Sequence, residues 1–370
     1  MNNLQLATEY LEKKISGRYI TNEHIAPLLK SLSNKFKIET IGKSVLDKDI
    51  FSVKFGIGKT KVLIWSQMHG NESTTTKGLF DFFNYLSSNH ENAELIYKNY
   101  TLYSIPILNP DGAEAYTRVN ANKVDLNRDA FENTQPESVL LRTIFENFKP
   151  DFCYNLHDQR TIFGTEGFNL PATVSFLAPA YNETRDFNDV RYKAIQVINK
   201  MNENLQKFIP NQVGRFDDSF NINCIGDYFT YRNIPTVLFE AGHYKDDYQR
   251  DEVRKYIFCS LLSSFNLSHE SLVVNRELDN YLQIPQNSKC FYDFLYKNVR
   301  FIDNSEEKTI NFAAQYVETL QSNTIHFEAQ VIQINDLENH NGHLEFDFKD
   351  TIFNTNEVKI PEIGDKLPVF

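Results

Sequence analysis

The sequence predicts an α/β fold in which a central mixed, mostly parallel β-sheet is flanked by helices on both faces. Apolar runs of strand length alternate with amphipathic runs of helix length up to about residue 265. Several of the strand-like runs end in polar residues, as is typical where the carboxyl ends of parallel strands meet. Beyond about residue 275 the pattern changes to two-residue alternation, which predicts a small β-rich domain.

The individual elements follow from periodicity and from Gly-rich or charged breaks. Residues 3–35 have apolar positions three and four apart, which predicts an N-terminal helical segment. The predicted strands are FKIETIG, DIFSVKFGIG, KVLIWSQM, YTLYSIPILN, DFCYNLHD and PTVLFEAG, and the predicted helices are TKGLFDFFNYLSS, PESVLLRTIFENFK, DVRYKAIQVINKMNENLQKFI and DEVRKYIFCSLLSSFNLS. TIHFEAQVIQI and GHLEFDFKDTIFN alternate as half-buried strands do. We therefore expect an α/β domain at 1–275 and a β-rich domain at 276–370.

Composition excludes several classes of protein. The 370 residues carry a net charge of −11, and an acidic surface disfavours nucleic acid and anionic membranes as partners. The N-terminus lacks the basic and apolar regions of a signal peptide, and no apolar run is long enough to span a bilayer. Four scattered cysteines without a CxxC pair are typical of free thiols in a reducing compartment. We expect a cytoplasmic protein; its oligomeric state is not predicted.

Three residues suggest a metal centre. His69 and Glu72 lie three apart in WSQMHGNESTTT, directly after a predicted strand, and His157 ends another predicted strand. Two histidines and a glutamate form a ligand set of the catalytic zinc type, which leaves one coordination position open. An HxxE pattern alone is weak, because a surface histidine beside a glutamate at a helix N-terminus has the same spacing.

A second cluster lies in AYTRVNANKVDLNRDA. Arg118, Asn127 and Arg128 supply donors suited to a carboxylate or a polarised carbonyl, although most such stretches are solvated loops. Asp125 is placed to accept the free N–H of a metal-bound histidine. Glu240 ends the apolar strand PTVLFEAG, where desolvation favours a raised pKa and a role as general base.

Taken together, these motifs resemble the zinc carboxypeptidase family related to pancreatic carboxypeptidase A, particularly its shorter bacterial members. The resemblance covers about residues 40–265 and depends on HGNE, on NPDGAEAYTRVNANKVDLNRD, on the later strand-end His157 and on the late Glu240. It implies one zinc ion on His69, Glu72 and His157. It also implies that Asp125 orients the first histidine.

The same resemblance implies the activity of a metallocarboxypeptidase, with Glu240 as general base and Arg118 stabilising the oxyanion. Asn127 and Arg128 would hold the terminal carboxylate of a peptide or peptidoglycan-derived peptide. The stretch GRFDDSFNINCIGDY corresponds to the region that shapes the side-chain pocket, and Asp218 and Ile225 are its candidate specificity residues. This stretch lacks a tyrosine before Tyr228, unlike larger members of the family.

Two other functions are compatible with these motifs. Deacylases of N-acyl amino acids, similar to aspartoacylases and succinylglutamate desuccinylases, share HxxE and a later histidine and also have a β-rich C-terminal part. A non-catalytic peptide-binding module on the same scaffold is the third possibility. The NPDG–VDLNRD segment and the FEAG ending favour the peptidase.

Overall fold

The computed structural model describes residues 1–265, 274–303, 306–349 and 361–367. Its helices are α1 (Asn3–Glu9), α2 (Asn22–Ser31), α3 (Thr74–Ser87), α4 (Glu91–Asn99), α5 (Pro110–Ala115), α6 (Pro136–Phe148), α7 (Asp189–Leu205), α8 (Ile225–Tyr231), α9 (Val253–Ser264) and α10 (Val274–Leu282). A short 3₁₀ helix spans Leu126–Arg128. The last residues of two predicted segments, 266–268 and 350–354, lie outside the described ranges.

The strands divide into a large sheet and two smaller ones. They are β1 (Phe36–Lys43), β2 (Asp49–Phe55), β3 (Thr60–Ser66), β4 (Tyr100–Ile105), β5 (Phe152–Asp158), β6 (Phe163–Thr165), β7 (Leu170–Pro171), β8 (Val174–Leu177), β9 (Val213–Arg215), β10 (Thr236–Ala241), β11 (Asn287–Lys289), β12 (Phe291–Asp303), β13 (Glu306–Gln321), β14 (Thr324–Ile334) and β15 (Asn341–Asp347). The large sheet has the order β1-β2-β4-β3-β5-β10-β8-β9.

The centre of the large sheet is parallel. Strands β4, β3, β5 and β10 run in one direction, whereas β1, β2 and β8 join through antiparallel pairs. Val62 and Ile64 pack with helices α3, α7 and α9 on one face, and Leu63 and Trp65 pack with α6 and α8 on the other. Strands buried on both faces need continuous apolar sequence, which explains VLIW. The predicted fold class is confirmed.

The C-terminal part forms a separate four-stranded sheet with the order β14-β13-β12-β15. Its own core includes Phe294, Tyr296, Phe312 and Val331. This sheet begins at Phe291; the preceding α10 packs on α7, and β11 pairs with β6.

The N-terminal segment is less helical than its periodicity predicts. Helices α1 and α2 are separated by non-helical residues 10–21. Each helix begins with a capping box, at Asn2 and at Thr21, which satisfies backbone N–H groups of the first turn. Helices therefore start where side-chain acceptors are available, and the chain between them wraps across the α/β domain.

The four cysteines are free, as predicted, and Cys153 and Cys259 are buried. None of the helices in the described part of the chain combines the length and apolar character that crossing a bilayer requires.

Candidate active site

Adjacent parallel strands bring the predicted site residues together. Strand β5 carries His157 near its carboxyl end, and its neighbour β10 carries Glu240 directly opposite in register. On the other side of β5, β3 ends at Ser66, three residues before His69. Residues far apart in sequence therefore meet because three neighbouring strands end at the same edge of the sheet.

His69, Glu72 and His157 converge on one point. Nδ1 of His69 lies 2.8 Å from Oε1 of Glu72, and Nδ1 of His157 lies 2.8 Å from Oε2 of the same carboxylate. The two Nδ1 atoms are 3.1 Å apart, and all three side chains are buried. Within the described residues, no other group of three or more His, Cys, Asp or Glu side chains has its ligand atoms within 4.8 Å of one another.

This donor set fits a zinc ion. Zinc–ligand bonds of about 2.0–2.1 Å in a tetrahedron place neighbouring donor atoms about 3.3 Å apart, close to the observed separations. Burial works to raise the pKa of Glu72, but the charges of His69 and His157 outweigh it and hold that pKa well below its usual range. The carboxylate is thus in the ionised form that a metal requires.

Two glycines allow the loop that carries the first two ligands to adopt its position. A Cβ on Gly70 would lie 1.9 Å from the backbone carbon of Gly112, in the NPDG turn. Asn109 joins the same two loops, because its Nδ2 donates to the carbonyl of Met68 and its Oδ1 accepts from the amide of Gly112. The HGNE and NPDG motifs are therefore one packing unit.

Asp125 connects the metal centre to the second predicted cluster. Its Oδ1 lies 3.0 Å from Nε2 of His69, and its Oδ2 accepts from Nε of Arg118 at 3.1 Å. Burial works to raise the pKa of Asp125, but the bond with His69 and the charge of Arg118 outweigh it, so the net pKa is lowered. An ionised Asp125 fixes the His69 ring with Nδ1 towards the metal position.

Arg118 lies at the rim of the site. Its side chain is about half exposed, and Nη1 donates to Oε1 of Glu72 at 3.3 Å. The guanidinium is therefore beside the metal position and also open to an incoming ligand.

Asp158 is a site residue that the sequence reasoning missed. Its carboxylate accepts from the backbone amides of Thr74 and Thr75, at the first turn of α3, and its own amide donates to Glu72. An anion at a helix N-terminus is stabilised by the unpaired N–H groups there. In the sequence, Asp158 could have been recognised because it directly follows His157, a candidate ligand at the end of a predicted strand, and because helix α3 is predicted to begin close to the other two candidate ligands.

Glu240 is 9% exposed, and its Oε2 has no hydrogen-bond partner among the described residues. Burial raises the pKa of Glu240 well above its usual range, and the neighbouring carboxylates of Glu72 and Asp158 raise it further. A buried, unpaired carboxyl beside the metal position is suited to accepting and returning a proton.

The site opens into a cavity of about 600 Å³. The predicted ligands, Glu240, Arg118, Asn127 and Arg128 all line it. Asn127 is held in place because its Oδ1 accepts from the amide of Ile225. The structure thus brings these predicted residues together.

The structure does not bring the two candidate specificity residues to this cavity. Asp218 forms an ion pair of 2.9 Å with Arg191, and Ile225 is buried in the core beside Phe229. Their neighbours Asp217, Gly226 and Asp227 line the cavity instead. The ion pair with Arg191 holds Asp218, and burial in the core holds Ile225, so adjacent residues face the cavity.

Tyr228 and Phe220, in the same stretch, differ in their position relative to the cavity. Tyr228 is buried, and its hydroxyl accepts from Nη1 of Arg232 at 2.9 Å, whereas Phe220 lines the cavity. Asn155, on β5, also lines the cavity, and its Oδ1 is buried without a hydrogen-bond partner in the described part of the chain.

Comparison with known proteins agrees with the fold. The model of the zinc carboxypeptidase family matches residues 21–143. Carboxypeptidase SOL1 of Arabidopsis thaliana is 28% identical over 129 residues, which are 31% of this chain and 26% of that protein. The chain thus spans about a quarter of the length of that curated relative.

Solved structures share the fold at low sequence identity. A metallo-carboxypeptidase from Pseudomonas aeruginosa has a TM-score of 0.54 and 17% identity, and the match covers 70% of each chain. One from Burkholderia cenocepacia has a TM-score of 0.53 and 14% identity, covering 71% of this chain and 70% of that one. Carboxypeptidase A from Helicoverpa armigera has a TM-score of 0.52 and 16% identity, covering 72% and 80%.

The fold and the site together describe an α/β protein with a His₂Glu centre suited to one zinc ion. The resemblance inferred from HGNE and NPDG is confirmed: residues 21–143 match the zinc carboxypeptidase family model, and the fold is shared with solved metallo-carboxypeptidases.

Proposed function

We propose that this protein is a zinc-dependent metallocarboxypeptidase that hydrolyses the amide bond next to a C-terminal or γ-linked residue of a peptide. The observation that carries the proposal is the position of Glu240, buried and unpaired within the described residues, across from His157 on the adjacent strand. A metal-binding module needs the ligands but not this carboxyl, whereas a hydrolase needs both.

His69, Glu72 and His157 would hold the zinc ion, which would supply a water of lowered pKa and a Lewis acid for the scissile carbonyl. Glu240 accepts the proton of the attacking water and then delivers it to the leaving amine. Arg118 donates to the oxygen that becomes negatively charged.

Two other residues of the cavity lining would hold the substrate. Arg128 and Asn127 bind the terminal carboxylate, because a planar guanidinium pairs well with a carboxylate and the amide supplies a further donor. This arrangement places the last amide bond, rather than an internal one, beside Glu240.

The cavity lining favours a terminal side chain that carries donors. Asp217 and Asp227 provide carboxyl groups, and Asn155 provides an unpaired amide oxygen among the described residues. Burial raises the pKa of Asp227 to about 7. Peptides, including peptidoglycan-derived peptides, that end in an amino-bearing residue are therefore the first substrates to test.

The decisive experiment compares zinc-loaded wild type with Glu240→Gln on a peptide and muropeptide library read by mass spectrometry. We expect products shortened by one residue, and a decrease in kcat/KM of about 10²- to 10⁴-fold in the variant at unchanged zinc content. The matched control is Glu252→Gln at a half-exposed glutamate paired with Lys255, and this variant should retain activity.

The same experiment separates the alternatives. Hydrolysis of N-succinyl or N-acetyl amino acids without cleavage of peptides would replace the peptidase by the deacylase. Peptide binding with no hydrolysis in wild type would identify a binding module. Internal cleavage would contradict the role of Arg128 and Asn127.

A further inference from the structure

Glu318 of the C-terminal sheet binds two side chains of the α/β domain. Glu318, on β13, accepts a hydrogen bond from Nη1 of Arg18 at 3.0 Å and another, short one from the hydroxyl of Tyr116. Arg18 is 7% exposed, Tyr116 is half-buried, and Glu318 is 26% exposed at its side chain. The carboxylate thus joins two segments of the α/β domain that are about a hundred residues apart in sequence.

Tyr116 leads directly to Arg118. It ends α5 in the left-handed region, with φ 53° and ψ 48°, a conformation that is costly for a residue with a Cβ. The chain then turns, with the amide of Thr117 donating to the carbonyl of Gly112 at 2.8 Å, and Arg118 follows beside Glu72 and Asp125. A contact that holds the Tyr116 side chain therefore stabilises the backbone from which Arg118 extends.

Arg18 leads to the metal ligand Glu72. Its carbonyl accepts a hydrogen bond of 2.6 Å from the hydroxyl of Ser73, the residue that follows Glu72. Ser73 is fully buried. The segment around Arg18 therefore packs against the loop that supplies two of the three metal ligands.

We propose that Glu318 is a positioning residue, through which the C-terminal sheet fixes the segment 116–118 and so sets the place of Arg118 at the site. The C-terminal sheet would thus have a role in the reaction. The expected effect on kcat rests on the proposed function, whereas the expected effect on the segment 116–118 does not. Removing the carboxylate leaves the buried Arg18 without its ion-pair partner and frees the Tyr116 hydroxyl, so the left-handed turn loses its anchor.

The kinetic test is a double-mutant cycle of Glu318→Gln and Arg118→Ala in zinc-loaded, full-length protein. We expect Glu318→Gln to lower kcat by about 10- to 100-fold with KM and zinc content unchanged, since misplacing a catalytic group by about 1 Å has effects of this size. In the Arg118→Ala background the same change should have no further effect, because residues that act through one another are non-additive.

Two further variants make the test specific. Tyr116→Phe removes only the phenolic hydroxyl and should reproduce part of the fall in kcat. Glu328→Gln is the matched control, because Glu328 lies on the neighbouring strand β14 and pairs with the exposed Lys366, and it should leave kcat unchanged.

A substrate-free measurement keeps this inference separate from the proposed function. Amide hydrogen exchange of residues 116–120 should be faster in Glu318→Gln than in wild type and in Glu328→Gln. Wild-type kcat and exchange in Glu318→Gln would overturn the inference, as would a fall in kcat that multiplies in the Arg118→Ala background or follows zinc loss. An inactive wild type would reject the proposed function, while the exchange result would still decide whether Glu318 holds this segment.

Discussion

Replacing Gly70 by alanine should disrupt the metal centre without touching a ligand. An added Cβ would lie 1.9 Å from the carbon, and 2.3 Å from the oxygen, of the Gly112 carbonyl group, and 2.2 Å from the amide nitrogen of Ala113. Ordinary van der Waals contacts are 3.4–4 Å, so the two loops must separate by about 1.5 Å. Both partners are backbone atoms, so no side-chain rotation relieves the contact.

The expected change in zinc affinity follows from how little the ligand distances of a zinc site can vary. Ligand distances hold to within about 0.2 Å in a functional site, and the displacement required here is several times larger. Because His69 directly precedes Gly70, we expect the zinc Kd to rise about 100-fold, at the upper end of the effect of losing a group that orients a ligand. Overpacking should also lower the free energy of unfolding by about 1–3 kcal/mol.

The assay is competition for zinc with a chromophoric chelator, together with metal content after dialysis. The control is Gly42→Ala, whose Cβ would meet only the flexible end of the Leu140 side chain, at 2.7 Å, away from the site. That variant should retain the wild-type Kd. A Gly70→Ala protein with unchanged zinc Kd would refute the argument that the close approach of the two loops positions the ligands.

Two other predictions concern stability. Arg254 binds both carboxylate oxygens of the buried Asp81, at 2.6 and 2.8 Å, so Asp81→Asn should lower the free energy of unfolding by about 3–5 kcal/mol in denaturant titration. The control is Glu345→Gln in the exposed pair with Lys297, which should lower it by less than about 1 kcal/mol. Equal effects of the two substitutions would contradict this prediction. Burial lowers the pKa of His343 from 6.5 to about 4. The free energy of unfolding should therefore be highest above pH 6.5 and should decrease by about 3 kcal/mol as the pH falls towards 4. A His343→Gln variant should flatten this slope in unfolding at pH 7 and 4.5, and an unchanged slope would count against it.

His343 also shows where a local pattern was insufficient. Nothing around His343 in the sequence indicates a partner, yet its ring stacks on Phe291 and contacts the tilted ring of His243. Its Nε2 also lies 2.8 Å from the carbonyl oxygen of Thr161. Contacts of this kind join the C-terminal sheet to the α/β domain, and they depend on where the sheet docks. Periodicity reports which face of a strand is apolar, but not what that face meets.

The fold class, the three candidate metal ligands and the candidate base could all be predicted from sequence pattern alone. Continuous apolar runs require strands buried on both faces, and polar residues at the ends of such runs must gather at one edge of a parallel sheet. This pattern therefore predicts that His69, His157 and Glu240 lie together, as they do in the structure. These inferences depend only on short-range pattern and on the directionality of strands.

Which neighbouring residues face the cavity, and what holds the site in place, depends on contacts between distant segments of the chain. Asp217 rather than Asp218 lines the cavity because Asp218 is drawn to Arg191, and Asp158 and Glu318 became visible only through partners distant in the chain. The physical reason is that hydrogen bonds and ion pairs depend on distances of a few tenths of an ångström between separate segments, and no sequence spacing fixes those distances.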